Sequence, residues 1–152
     1  MASPREKALA AFQRYRRYVC ADSNGYAECI SCGKIGHVSK MDGGHYESRK
    51  TRATELESDN VWAQCKYCNG PLSGNHIAYR SRLIARIGLE RVERIEDMVM
   101  AAKGSEEAYE RLSDKDKEAV KTKKKNKDYL ELAKQYKQIA DRMEKDKCIK
   151  NE

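Results

Sequence analysis

The sequence predicts a mainly α-helical chain of the α+β class, built around a small core of brief strands tied together by cysteines. Three observations predict it. Apolar residues recur at helical spacing near both ends of the chain, the stretch from 28 to 75 is broken and rich in Gly, Ser and Cys, and that stretch contains two CxxC pairs. Of the 152 residues, 39% are hydrophobic and 36% charged, so apolar burial alone would give a thin core for one ordinary domain. A staple is therefore expected, and the paired cysteines are placed to supply it.

Taken in order, "PREKALAAFQRYRRYVC" (4–20) reads as a helix. Pro4 suits a first turn after Ser3, and Leu9, Phe12 and Tyr15 or Arg16 recur at helical spacing. Arg14, Arg16 and Arg17 make it basic. "ADSNGYAE" is turn chemistry, broken most clearly at Asn24-Gly25. The next two helical patterns are "NHIAYRSRLIARIG", with Ile77, Leu83, Ile84 and Ile87 on one face, and "LERVERIEDMVMAA", with Leu89, Val92, Ile95, Met98 and Val99. They are two helices, or one broken at Gly88. After Gly104 the composition is strongly charged, and Tyr129, Leu132, Tyr136, Ile139 and Met143 form a heptad-like stripe, to pack on this chain or on a partner. This divides the chain into a basic helix (1–27), a cysteine-stapled core with its following helices (28–102) and a charged helical region (103–152).

The net charge of +7 and a pI near 9.1 favour an anionic partner, nucleic acid first, although a protein can also simply be basic. No apolar run approaches the length of a membrane span, and the N-terminus lacks the apolar core of a signal peptide, so a cytoplasmic location is expected. There, paired thiols more often hold metal than form disulfides. "ECISCGK" (28–34) and "QCKYCNG" (64–70) each place two cysteines ahead of a turn-forming residue, so that Cys29, Cys32, Cys65 and Cys68 can point at one tetrahedral Zn²⁺ about 2.3 Å from each sulfur. Disulfides or a redox pair fit the matched flanks less well. Cys20 and Cys148 have no partner at such spacing. A closed four-thiolate site leaves no position for a reacting water, so any chemistry must come from other groups.

Those groups stand between and beside the knuckles. His45 follows two glycines in "MDGGHYESRK", Asn60 precedes the second knuckle and Asn69 follows Cys68. Phosphodiester hydrolysis needs a base to activate water and a divalent cation to stabilise the leaving oxygen, and an imidazole with a nearby oxygen ligand can provide both. A glycine-loop histidine can also do no more than bond backbone, and an asparagine after a knuckle can cap a helix. His37 reads as a surface loop histidine and His76 as solvent-facing, although Asn75 and His76 could face the same cleft. Arg49, Lys50 and Arg52 follow His45, Arg80, Arg82 and Arg86 line the next helix, and Lys121, Lys123, Lys124 and Lys125 form a distal cluster; any of these can hold phosphate backbone, or simply be solvated.

The segments "CISCG", "GGHY", "DNVWAQCKYCNGPLSGN" and "YRSRLIARIGLERVERIE" closely resemble the NinG/Rap recombination proteins of lambdoid phages, across residues 28 to 96. The knuckle-and-asparagine part is also similar to the phage T4 endonuclease VII type of junction resolvase. The resemblance implies a ββα-metal, or HNH-like, nuclease core and a structure-specific endonuclease that cuts Holliday junctions and D-loops with Mg²⁺ or Mn²⁺. In that case Cys29, Cys32, Cys65 and Cys68 ligate structural zinc, His45 is the general base, Asn60 ties the loop that holds it and Asn69 ligates the catalytic metal. One position departs: resolvase-type sites carry an acid directly before the histidine, and here that residue is Gly44. Asp42 or Glu47 then substitutes, or waters fill the metal's shell. A non-catalytic, zinc-containing accessory that binds branched DNA is the alternative, and a zinc module for protein interaction is a third reading. If the chain is phage-encoded, the expected location is the host bacterial cytoplasm. Symmetric nicking implies a homodimer, with the Tyr129–Met143 stripe and the N-terminal helix as its expected interface.

Overall fold

In the computed structural model, which describes residues 1–149, the first helix, α1 (Pro4–Cys20), begins as its sequence dictates. Ser3 Oγ accepts from the Glu6 amide while the Glu6 carboxylate accepts from the Ser3 amide, a reciprocal cap completed by Pro4 in the first turn. The turn at Asn24-Gly25 leads into a short antiparallel hairpin, β1 (Tyr26–Glu28) with β2 (Ile35–His37), whose tip carries Cys29 and Cys32. A second antiparallel pair, β3 (Met41–His45) with β4 (Val61–Cys65), runs in register from Met41 opposite Cys65 to His45 opposite Val61. A one-turn helix, α2 (Lys66–Asn69), follows β4 directly. The remainder is helical: α3 (His76–Ile87), α4 (Leu89–Ala102), α5 (Glu106–Arg111), α6 (Asp114–Lys121) and α7 (Asn126–Asp146).

The β3–β4 pair is covered on both sides, and its two adjacent glycines make this possible. A side chain at Gly43 would place its Cβ 2.5 Å from the Gln13 carbonyl of α1, and Gln13 Nε2 donates to the Gly43 carbonyl. On the other side, the buried Tyr79 of α3 donates to the Gly44 carbonyl at 2.7 Å. Successive strand residues face opposite ways, so Gly43 admits α1 while the space over Gly44 is filled by the Gln64 side chain. Burial follows the same division. Tyr18, Cys29, Val38, Met41, Ala63, Cys68 and Ala140 cluster around the cysteines, while Ile30, Tyr46, Trp62, Tyr79, Leu83, Val92 and Ile95 cluster under α3 and α4.

Three expectations need correction. The α3 face buries Tyr79 and Leu83 with Ile84 and Ile87 half-buried beside them, whereas Ile77 is 87% exposed, because the buried face is centred between Tyr79 and Leu83 and is displaced round the helix from the expected stripe; Leu89, at the start of α4, is also exposed. His37 is buried: its Nδ1 bonds Ser39 and caps the turn Val38–Lys40. The α7 stripe is occupied by its own chain. Tyr136 stacks on Tyr15 at 5.2 Å and meets Phe12 edge-on at 4.9 Å, Arg14 pairs with Asp141 and Glu144, and Lys147 Nζ donates to the Tyr18, Val19 and Ala21 carbonyls at the end of α1. Helix α7 and Lys147 thus lie against the N-terminal helix.

Candidate functional site

The two hairpin tips bring Cys29, Cys32, Cys65 and Cys68 together, with all four ligand atoms within 4.8 Å of one another. A tetrahedron with metal–sulfur arms of about 2.3 Å has edges near 3.8 Å, and Cys32 Sγ lies 3.9 Å from Cys65 Sγ. The amides of Ser31 and Cys32 point at Cys29 Sγ, that of Cys68 at Cys65 Sγ, and Asn75 Nδ2 at Cys68 Sγ. Such donors stabilise thiolate, which is the ligating form. At Cys29 burial raises the pKa but these donors outweigh it, leaving it at about 7; at Cys68 burial and the neighbouring thiols push it up to about 12. Donor set and spacing fit a metal ion such as zinc. Cys20 is not part of the group; its sulfur accepts the Ala63 amide.

His45 ends β3, and its Nε2 bonds the Glu55 carbonyl at 2.8 Å. In the tautomer protonated at Nε2, that bond leaves Nδ1 with its lone pair free. Burial lowers the His45 pKa, and the charges of Arg49 and Arg5 lower it further against the opposing Glu55 bond, which favours the neutral ring. The loop that supplies Glu55 is knotted by Asn60, which is fully buried. Its Oδ1 accepts from the Glu47 amide at 2.7 Å, and its Nδ2 donates to the Glu47 and Thr54 carbonyls, both at 3.0 Å.

Residues that the sequence did not single out hold the same loop. The Glu55 carboxylate, also fully buried, accepts Arg5 Nε at 2.8 Å and the Tyr129 hydroxyl at 2.7 Å, which joins α1 and α7 behind His45. Arg94 of α4 pairs with Glu57 and with Asp116 of α6, and Arg91 pairs with Asp59. Nothing local in the sequence marks Glu55, because its partners lie 50 and 74 residues away.

At the opposite end of β3, Asp42 meets Asn69. Asn69 Nδ2 donates to Asp42 Oδ2 at 3.0 Å, and Lys66 Nζ lies 2.8 Å from the other oxygen. Burial raises the Asp42 pKa, but Lys66 and Asn69 outweigh it and the carboxyl titrates below its usual range. The cleft here is lined by Gln13, Arg14, Arg17, Asp42, Lys66 and Asn69. Asp42 and His45 are three residues apart on one strand, hence about 10 Å between Cα atoms and on alternate sides. No hydrogen bond links them among the described residues. Glu47 instead faces His76, Oε1 to Nε2 at 3.5 Å, with His76 stacked on Tyr46 at 4.5 Å.

Gly44 leaves no room for an acid. A Cβ there would lie 1.9 Å from Oε1 of Gln64, a fully buried side chain whose Nε2 donates to Ser31 Oγ and the Gly74 carbonyl. Gln64 thereby ties the first knuckle to the loop after the second. Of the expected phosphate holders, Arg80 is engaged by Glu96 through two bonds, Arg82 reaches Glu28 at 3.2 Å, and Arg86 lies over Trp62 at 4.8 Å. Arg49, Lys50, Arg52, Lys121, Lys123, Lys124 and Lys125 are exposed.

Fold and site together define an α+β chain organised on a four-cysteine cluster able to hold a metal, with a histidine at the far end of the β3–β4 pair from it. The chain belongs to the family described as "Bacteriophage Lambda NinG protein", whose model matches residues 4–146. It is 44% identical over 70 residues to the protein ninG of Escherichia phage 933W, 44% over 71 residues to that of Escherichia phage lambda and 43% over 70 residues to that of Salmonella phage P22. Each alignment covers 45% of this chain and 33–34% of the relative, so the matched part spans about a third of the curated relatives' length. No solved structure matches the chain.

Proposed function

We propose that this protein is a metal-dependent endonuclease of branched DNA, with an HNH-like core stapled by structural zinc. The observation that carries the reading is the setting of His45: an imidazole oriented through Nε2 by the Glu55 carbonyl, in a loop knotted by Asn60, where burial lowers its pKa. A general base needs those properties, since it must be unprotonated at working pH and fixed in one tautomer. In this reading His45 Nδ1 takes the proton of the attacking water. Asp42 and Asn69 would hold Mg²⁺ or Mn²⁺, which supplies charge stabilisation at the phosphate and the leaving oxygen, with waters completing a shell that has only two protein ligands. Asp42 then serves in place of an acid at position 44. A two-fold dimer would place two such sites on a four-way junction. Because α7 is engaged with α1, the dimer interface would lie elsewhere.

A second reading, a zinc-containing accessory that binds branched DNA without cutting it, is favoured by the separation of Asp42 from His45 and by the Lys66 ammonium on the Asp42 carboxylate. Synthetic four-way junctions, flaps and linear duplex incubated in Mg²⁺ or Mn²⁺ separate the two. The nuclease reading expects junction cleavage by the wild type, and losses of at least 100-fold in His45→Ala and Asp42→Asn, on the order of the usual contribution of a general base. Tight junction binding with no cleavage by the wild type supports the accessory instead, and equal cleavage by His45→Ala removes His45 from the mechanism. Light scattering at micromolar concentration tests the dimer.

A further inference from the structure

Most arginines along α3, α4 and α5 are neutralised within the chain: Arg80 by Glu96, Arg82 by Glu28, Arg91 by Asp59, Arg94 by Glu57 and Asp116, and Arg111 by Asp97. Two other basic runs differ. Arg49, Lys50 and Arg52 follow His45, while Lys123, Lys124 and Lys125 precede α7; all six are exposed, and among the described residues none has a carboxylate within 4.0 Å of its cationic head.

Though far apart in sequence, the two runs are joined by the fold. The Tyr129 hydroxyl donates to Glu55 at 2.7 Å with the Arg52 guanidinium beside it, and Arg5 ties the same Glu55 to the Arg49 carbonyl, which it reaches at 2.6 Å. Lys125 caps α7 one helical turn before Tyr129, so their Cα atoms are about 6 Å apart. Arg52 and Lys125 therefore belong to one surface, and its inner edge reaches the base, since the Arg49 charge acts on His45.

We propose that Arg49, Lys50, Arg52, Lys123, Lys124 and Lys125 form one phosphate-binding face that holds a double-helical arm of DNA beside His45. Six converging cations without counter-charges repel one another, and a polyanion relieves that repulsion while releasing its own condensed counterions. Peptide or small-molecule ligands would offer too few phosphates to span two loops. The choice of DNA rests on the nuclease reading, whereas the face itself is tested by binding.

The test is fluorescence anisotropy with a labelled linear duplex and a labelled four-way junction, using full-length, zinc-loaded protein without added Mg²⁺ or Mn²⁺, across a salt series. Two triple variants, Arg49→Ala/Lys50→Ala/Arg52→Ala and Lys123→Ala/Lys124→Ala/Lys125→Ala, are compared with a Lys103→Ala/Lys115→Ala/Lys145→Ala control that removes the same charge from exposed positions. Each triple variant is expected to flatten the slope of log affinity against log salt by about 2 to 3, at ~0.9 per lost phosphate contact, and to weaken binding by on the order of tenfold. The control stays near the wild type, and all melt alike. A lysine variant with wild-type slope and affinity overturns the proposal, as does a control that falls as far as the triples. Cleavage reports separately: a wild type that binds through this face and cuts nothing refutes the nuclease reading alone, while cutting without the predicted slope changes refutes the face alone.

Discussion

His45 illustrates how a residue's surroundings set its protonation state. Its pKa is lowered in the folded chain from an unfolded value near 6.5. The folded state therefore binds fewer protons than the unfolded one as pH falls through 6.5. The stability gained from the neutral ring is complete above about pH 6.5 and is lost as pH falls toward the folded pKa. Urea midpoints between pH 5 and 7.5 should decline toward acid more steeply in the wild type than in His45→Gln. Gly44 gives a second prediction at this scale: alanine there drives a Cβ onto Gln64 Oε1, so Gly44→Ala should lose about 1–3 kcal/mol, read as a lower urea midpoint at unchanged m-value. A midpoint at or above wild type would mean that Gln64 moves aside freely.

Among elements, the loop between β3 and β4 is fixed by helices remote in sequence. Removing the Tyr129 hydroxyl leaves one oxygen of a buried carboxylate unsatisfied, which costs about 1–3 kcal/mol; removing Arg5 leaves that carboxylate without its cation, about 3–5 kcal/mol. Thermal melts of Tyr129→Phe and Arg5→Ala should rank in that order. The same comparison shows what the sequence could and could not reveal. Local signals were legible: Ser3-Pro4 marked the start of α1, Asn24-Gly25 the turn, and the two CxxC pairs the cluster, because each is decided within a few residues. Asn60 as the knot of the His45 loop was legible only through family resemblance. Glu55, Gln64 and Lys66 were not legible, since their roles depend on partners brought close by folding. The α7 stripe was legible as a packing face at Tyr129, Tyr136 and Met143 but not at Ile139, which stays exposed, and periodicity does not say that Tyr136 covers α1 while Tyr129 reaches Glu55.

For the whole molecule, the cysteine cluster joins the tips of the two hairpins, beside the Gln64–Ser31 and Ile30–Ala63 hydrogen bonds. Its thiolates would repel one another without a cation, so removal of bound metal should loosen both hairpins together. A strong chelator is expected to abolish cooperative unfolding by circular dichroism, and one equivalent of Zn²⁺ to restore it. Cys65→Ser should behave as the chelated wild type does, whereas Cys148→Ser, outside the cluster, should melt as the wild type. No described helix is long and apolar enough to cross a membrane.

The packing of α7 along α1 also has a consequence in time. Arg14 finds Asp141 across 127 residues of chain, and Phe12 waits for Tyr136. During synthesis α1 emerges well before α7, so its aromatic face stays uncovered until Tyr136 has followed. Contacts of such long range slow folding, because the loop they close must be ordered before they contribute. The metal cluster needs only residues up to 68, so it can organise that part of the nascent chain well before α1 and α7 meet. Protease resistance of the cysteine core in ribosome-bound chains should then precede protection of α1.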